Sequence, residues 1–208
     1  MASNNKNLNY FFSVNSFLGS FNSYKNIPFS EIKKECCFIG RSNVGKSSLL
    51  NAITKSKKLA KTSKTPGRTQ SINVFEINHK INIIDLPGYG FAKLSKAVRE
   101  NLKVLIEDYI EYREKLNHVF LLIDAKVGIK NTDIDMLDFL NSYSKEFSIV
   151  LTKIDKISSN QANFQKKSIL SLMNNYKETF QNIYLSETKK NYGINELQKT
   201  IYSISKTQ

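Results

Sequence analysis

The run Gly40-Arg41-Ser42-Asn43-Val44-Gly45-Lys46-Ser47 sets a glycine, four intervening residues, a second glycine, a lysine and a hydroxyl in unbroken order. That spacing serves polyphosphate chemistry. The glycines let backbone N–H groups turn inward, a following helix adds its positive dipole end, Lys46 reaches the outer phosphates, and Ser47 supplies an oxygen to magnesium. Such a loop would hold adenine and guanine nucleotides alike, so the base must be read elsewhere. Thr152-Lys153-Ile154-Asp155 follows an apolar run and has the [NT]KxD form, in which a carboxylate accepts both the ring N–H and the exocyclic amine of guanine. Alone, these four residues read equally as a strand end followed by a helix cap. Placed after the phosphate loop, they imply GTP and GDP rather than adenine nucleotides.

Asp85-Leu86-Pro87-Gly88 has the DxxG form at the end of an apolar run. There Asp85 would hold magnesium through water, the Gly88 N–H would sense the terminal phosphate, and Thr69 in the preceding loop is the candidate second magnesium ligand. The catalytic candidates are therefore Lys46, Thr69 and Gly88, and the metal candidates are Ser47, Thr69 and Asp85.

Elements that can position these residues are legible in the hydrophobic pattern. Cys36-Cys37-Phe38-Ile39 is a short apolar run that stops at Gly40, and residues 48–53 continue as a helix, giving strand, glycine loop, helix. Residues 55–69 are basic and polar without an apolar period and read as a mobile loop. Runs over 71–77 and 81–86, joined through Asn78-His79-Lys80, predict a hairpin. Val98, Leu102, Leu105, Ile106, Tyr109 and Ile110 recur at spacings of three and four, which predicts an amphipathic helix. Strands over 119–123, 147–151 and 183–185 alternate with helices around Ile134 to Leu140, over 161–176 and from Asn195 to about Ser203. This alternation predicts an α/β fold with a mainly parallel sheet covered on both faces. Residues 1–30 carry scattered aromatics without a sustained period and read as an N-terminal arm draped over a single domain at 31–208.

The chain has 208 residues and a formal net charge of +13. That field favours anionic partners, nucleic acid first and anionic membrane second, although a lysine-rich composition also serves solubility. Cys36 and Cys37 are adjacent on a strand, so their side chains face opposite ways and are expected to remain reduced core residues. No charged leader precedes an apolar run and no apolar stretch approaches bilayer length, so a cytoplasmic protein without stable membrane association is expected. His79 and His118 read as exposed turn or strand-edge residues.

Taken together, Gly-Arg-Ser-Asn-Val-Gly-Lys-Ser-Ser at 40–48, Lys64-Thr65-Pro66-Gly67-Arg68-Thr69-Gln70, Asp85-Leu86-Pro87-Gly88-Tyr89-Gly90-Phe91-Ala92 and Ser186-Glu187-Thr188-Lys189-Lys190 resemble the EngB (YihA/YsxC) family of bacterial GTPases, over about residues 28–204. The resemblance implies a Ras-like P-loop GTPase fold with a mostly parallel six-stranded sheet, one antiparallel edge strand and helices on both faces. It implies one GTP with Mg2+ and a part in assembling the large ribosomal subunit, with a link to normal cell division and septation. By position it adds Gly67, Arg68, Thr69, Gln70 and Ser71 to the nucleotide contacts. It also places the guanine loop at Leu185-Ser186, with the Ser186 backbone N–H offered to the guanine oxygen. Leu185 departs from the polar residue of relatives, so that contact must be a backbone one.

In Ras-type enzymes a glutamine after DxxG orients the attacking water. Here Tyr89 stands in that place, so hydrolysis is expected to be slow and the protein to act as a switch. The family group suggests a K+ ion near the triphosphate with Asn43 as a ligand, and Arg68 is a weaker candidate for the same charge stabilisation. The expected partner is ribosomal RNA or a large-subunit precursor, met by a monomer through lysines of the 55–64 loop and Lys189-Lys190. The alternative is a signalling or membrane-associated GTPase acting on a protein partner in division. A small-molecule ATP kinase would share the phosphate loop and leave Asp155 unexplained.

Overall fold

The computed structural model describes residues 2–31, 33–56, 71–90 and 94–207. In chain order its elements are α1 (Ala2–Ser13), β1 (Asn15–Phe21), β2 (Lys34–Gly40), α2 (Lys46–Ile53), β3 (Ile72–Ile77) and β4 (Ile81–Asp85). There follow α3 (Lys96–Tyr112), β5 (Leu116–Asp124), α4 (Asn131–Ser142), β6 (Phe147–Thr152), α5 (Ser159–Leu172), β7 (Phe180–Leu185) and α6 (Ile194–Ile204). The strands form a seven-stranded sheet in the order β1-β3-β4-β2-β5-β6-β7. β4, β2, β5, β6 and β7 run parallel, while β3 pairs antiparallel with both β4 and β1.

The central strands are near-continuous apolar runs because both of their faces are covered. One face carries α3, α4 and α5 through residues such as Ile106, Leu137 and Ile169. The other carries α1, α2 and α6 through Phe12, Leu49 and Leu197. Cys36 and Cys37 fall on opposite faces, each fully buried and unbonded, as the strand period requires. Asn78 and His79 have φ of 49° and 55°, which turns the β3–β4 hairpin with the twist its strands need.

The class and the parallel core agree with the sequence pattern, and the N-terminal segment adds a seventh strand to them. Its helix buries Leu8, Phe11 and Phe12 against α6, with the Phe11 and Tyr202 rings 4.9 Å apart edge to face. Its strand β1 becomes the edge, so β3 is internal. The period is hidden because α1 is polar over its first half, and because the pairing register of β1 shifts between Phe17 and Gly19. No helix among the described residues is long and apolar enough to cross a membrane.

Two buried polar groups brace the sheet. Glu35, 1% exposed, accepts from Arg113 Nε at 2.9 Å and Nη2 at 2.6 Å and from the Tyr109 hydroxyl at 2.8 Å, tying β2 to the end of α3. His118 is a correction to the expectation of an exposed residue: it is buried inside β5, which has neighbours on both sides, and its Nε2 lies 2.9 Å from Ser148 Oγ. His79 is exposed on its turn as expected. Burial lowers the His118 pKa from 6.5 to about 4. Between those values the unfolded chain takes up a proton that the folded chain refuses, so this contribution is intact above pH 6.5 and lost as the pH falls towards 4. The expected loss, on the order of 3 kcal/mol, is the difference between wild type and His118→Asn in thermal unfolding followed from pH 7 to pH 4.

Candidate functional site

The candidate residues collect at the carboxyl ends of the parallel strands, where open α/β sheets present their crevices. β2 delivers the phosphate loop, β4 ends on Asp85, β6 ends on Thr152, and β7 ends on Leu185. The loop passes through left-handed conformations at Asn43, φ 63°, and at Gly45, φ 101°. Gly45 is the N-cap of α2 and has no side chain to cap it, so the first turn presents backbone N–H groups to an anion. Gly40 is required for a different reason: a Cβ there would lie 2.6 Å from the Leu122 carbonyl oxygen.

Lys46 and Asp85 form an ion pair at the base of this crevice, and Asp85 Oδ2 also accepts from Asn73 Nδ2 at 3.2 Å. Asp85 is 3% exposed. The lysine expected at the phosphates and the carboxylate expected at the metal thus hold each other. Asn73 does not stand out in the sequence, and its place on β3 opposite Asp85 follows from the hairpin register.

The residues expected to read the base split between buried and exposed positions. Thr152 is buried, and its hydroxyl donates to the Val44 carbonyl at 2.6 Å, so it fastens the phosphate loop to β6. Lys153, held at φ 57°, lies across Gly45 and donates to the Asn43 carbonyl at 2.6 Å and to Asp124 Oδ2 at 2.7 Å. Asp155 stays exposed, and the Lys156 ammonium bonded to it at 3.1 Å holds its carboxyl below the usual range. A small pocket between Gly45, Leu49, Lys153, Asp155, Ser186 and Thr188 adjoins it.

Ser186 departs from the expected donor role. Its N–H donates to the Leu151 carbonyl at 2.8 Å, because β7 continues its ladder one bond past Leu185. Ser186 still lines the pocket, as does Thr188. The loop behind them closes through paired backbone bonds between Glu187 and Tyr192, of 3.1 and 2.9 Å. Gly193 then turns it with φ 72°, where a Cβ would collide with the Leu185 carbonyl oxygen. In the sequence Gly193 is marked only by its place just ahead of an amphipathic helix.

Arg41, Ser42 and Tyr89 form a second network. Ser42 N–H donates to the Tyr89 carbonyl at 3.1 Å, and Tyr89 N–H donates to the Gly40 carbonyl at 3.3 Å. The Tyr89 hydroxyl donates to Asp133 Oδ1 at 2.7 Å, and Arg41 Nε lies 3.1 Å from Asp133 Oδ2 as an ion pair rather than an aligned hydrogen bond. Burial, together with the Asp133 carboxylate, pushes the Tyr89 hydroxyl pKa well above its ordinary value, so it remains protonated. Gly88 precedes this residue with its backbone buried, followed by Gly90 at φ 73°. Ser71 is partly buried just before β3. Gly67, Arg68, Thr69 and Gln70 lie outside the described residues.

Ser47 and Asp85 offer hard oxygens. No cluster of three or more His, Cys, Asp or Glu side chains suited to a metal occurs among the described residues. That donor set fits magnesium, which takes one or two protein oxygens and completes its shell with phosphates and water.

The family described as 50S ribosome-binding GTPase matches residues 35–153. A probable GTP-binding protein EngB of Mycoplasmopsis synoviae is 44% identical over 187 residues, covering 90% of this chain and 97% of that one. Its counterpart in Neisseria gonorrhoeae is 39% identical over 189 residues, covering 90% and 89%. Among solved structures, a probable GTP-binding protein EngB superposes with a TM-score of 0.64 at 26% identity, over 84% of this chain and all of that one. Era in complex with MgGDPNP and a segment of 16S ribosomal RNA gives 0.66 at 25% identity, over 84% of this chain and 57% of that one.

Proposed function

The chain belongs to the EngB family of GTP-binding proteins, with the Ras-like P-loop GTPase fold, and from that premise we propose that it is a slow, magnesium-dependent GTPase switch that assists assembly of the large ribosomal subunit. The observation that carries the reading is the meeting of two loops over one crevice, with Lys153 bonded to the Asn43 carbonyl and Asp155 beside Gly45. The N-terminal turn of α2 and Lys46 bind the phosphates, Asp155 reads the guanine edge, and Thr152 keeps the two loops in register. Ser47, Asp85 and Thr69 would hold magnesium, which would supply charge neutralisation for the phosphates. Asp85 and Lys46, paired with each other in the structure, would turn to the metal and the phosphates respectively, and the Gly88 N–H would report the terminal phosphate.

Tyr89 supports slow turnover. Its ring cannot accept the proton of an attacking water, and its hydroxyl is committed to Asp133. Charge stabilisation then falls to K+ at Asn43 or to Arg68, so hydrolysis is expected to be faster in potassium than in sodium salts when large subunits are present; equal rates remove the role of K+. The protein works as a cytoplasmic monomer, and effects on division and septation follow from failed subunit assembly. Two relatives bear on the partner: the matching family is described as binding the 50S ribosome, and Era was solved with ribosomal RNA. Cosedimentation with large subunits is expected in GTP but not GDP, weakening as salt rises. No pelleting at low salt in the presence of a non-hydrolysable GTP analogue defeats the proposal.

A further inference from the structure

Two lysines far apart in sequence, Lys55 after α2 and Lys189 after β7, meet at one groove of about 850 Å3. The groove runs between α1, α2, the 187–192 loop and the start of α6, and it shares Ser48 and Thr188 with the pocket beside Asp155. Its other polar lining is mostly carboxamide: Asn9 on α1 and Asn191 and Asn195 on the far wall, with no carboxylate among the described lining residues. The Lys55 ammonium is bonded to Asn9 Oδ1, which fixes it at the α1 wall. Lys189 and Asn191 sit on the loop closed by the Glu187–Tyr192 bonds, with Asn191 at φ 54°. One wall is thus held by a side-chain bond and the other by the backbone of its loop.

We infer that this groove is a binding site for a single-stranded segment of RNA, a surface that rests on the proposed ribosomal role and gives it an address. Ammonium groups at both walls neutralise phosphates, and carboxamides, which donate and accept at once, match the edges of unstacked bases. A duplex hides those edges. The volume falls within the roughly 300–1,000 Å3 of sites that enclose a small ligand, enough for a base with its sugar and phosphate. The net charge of +13 drives the encounter. Because Ser48 and Thr188 line both cavities, bound guanine nucleotide shapes one wall of the groove, and α1 acquires a role as the other.

The test uses the full chain and a fluorescent, unpaired oligoribonucleotide of adenosine and cytidine, titrated at several salt concentrations. Lys55→Ala with Lys189→Ala is expected to flatten the logarithmic salt dependence by about 1.4, at roughly 0.7 for each phosphate that is no longer neutralised. Asn191→Asp with Asn195→Asp is expected to weaken binding about tenfold or more. Fluorescent GDP binding reports that each variant is folded. Failure of the wild type to bind the oligonucleotide, equal affinity of the groove variants, or a duplex bound more tightly than the single strand overturns the inference. A photo-crosslinker at Asn195 that joins a ribosomal protein instead of RNA also overturns it. None of these results touches the proposed switch, which stands or falls on GTP-dependent cosedimentation of the wild type.

Discussion

Asp155→Asn is expected to lower GTP and GDP affinity on the order of a hundred- to a thousandfold and to transfer the preference to xanthosine nucleotides. A carboxylate at this place can accept from two donors on guanine, whereas an amide presents one acceptor and one N–H group, so one guanine donor would meet another donor. Charged hydrogen bonds of this kind, left unmade, carry penalties large enough for that ratio. Xanthine replaces the exocyclic amine with a carbonyl, which the new amide can satisfy. Asp155 is exposed and its carboxyl is held ionised by Lys156, so the substitution removes an anion at neutral pH without opening a cavity. Competition of GDP and XDP against a fluorescent nucleotide reads the outcome. Retained GDP affinity would transfer guanine recognition to another group.

Arg113→Met is expected to destabilise the fold by about 3–5 kcal/mol, the cost of stranding a buried carboxylate. Glu35 would keep the Tyr109 hydroxyl at 2.8 Å and a weak bond from Asn82 at 3.4 Å, and would lose both guanidinium bonds. The Pro28 carbonyl, bonded to Arg113 Nη2 at 3.3 Å, would be released with it, loosening the chain that leads from the N-terminal segment into β2. For a domain of this length the expected fall in Tm is about 6–20 °C. Adding Glu35→Gln should restore much of the loss, since the neutral amide keeps an acceptor for the Tyr109 hydroxyl and removes the unpaired charge. A double variant no more stable than Arg113→Met would place the cost in packing.

Local chemistry was legible from the residues because its requirements are local. The phosphate loop needs glycines where the backbone turns left-handed and a helix directly behind it, and Gly45 and α2 meet both conditions. The alternation of apolar runs and amphipathic helices specified the parallel core, since strands buried on both faces and helices buried on one have different periods. The N-terminal segment resisted this reading. A polar half-helix and a strand with a register shift gain stability from α6 and β3, which lie far along the chain, and neither has a period strong enough alone.

By itself the sequence determined the family and the parallel fold and singled out a set of candidate site residues, because each rests on neighbouring residues or on a regular spacing. The assignment of duties within that set came only from the tertiary structure. Thr152 became a fastener for the Val44 carbonyl, the Ser186 N–H went to the sheet, Tyr89 bonded to Asp133, and His118 moved into the interior. A polar group's partner is fixed by which element packs beside it, and that pairing joins residues that no local pattern connects.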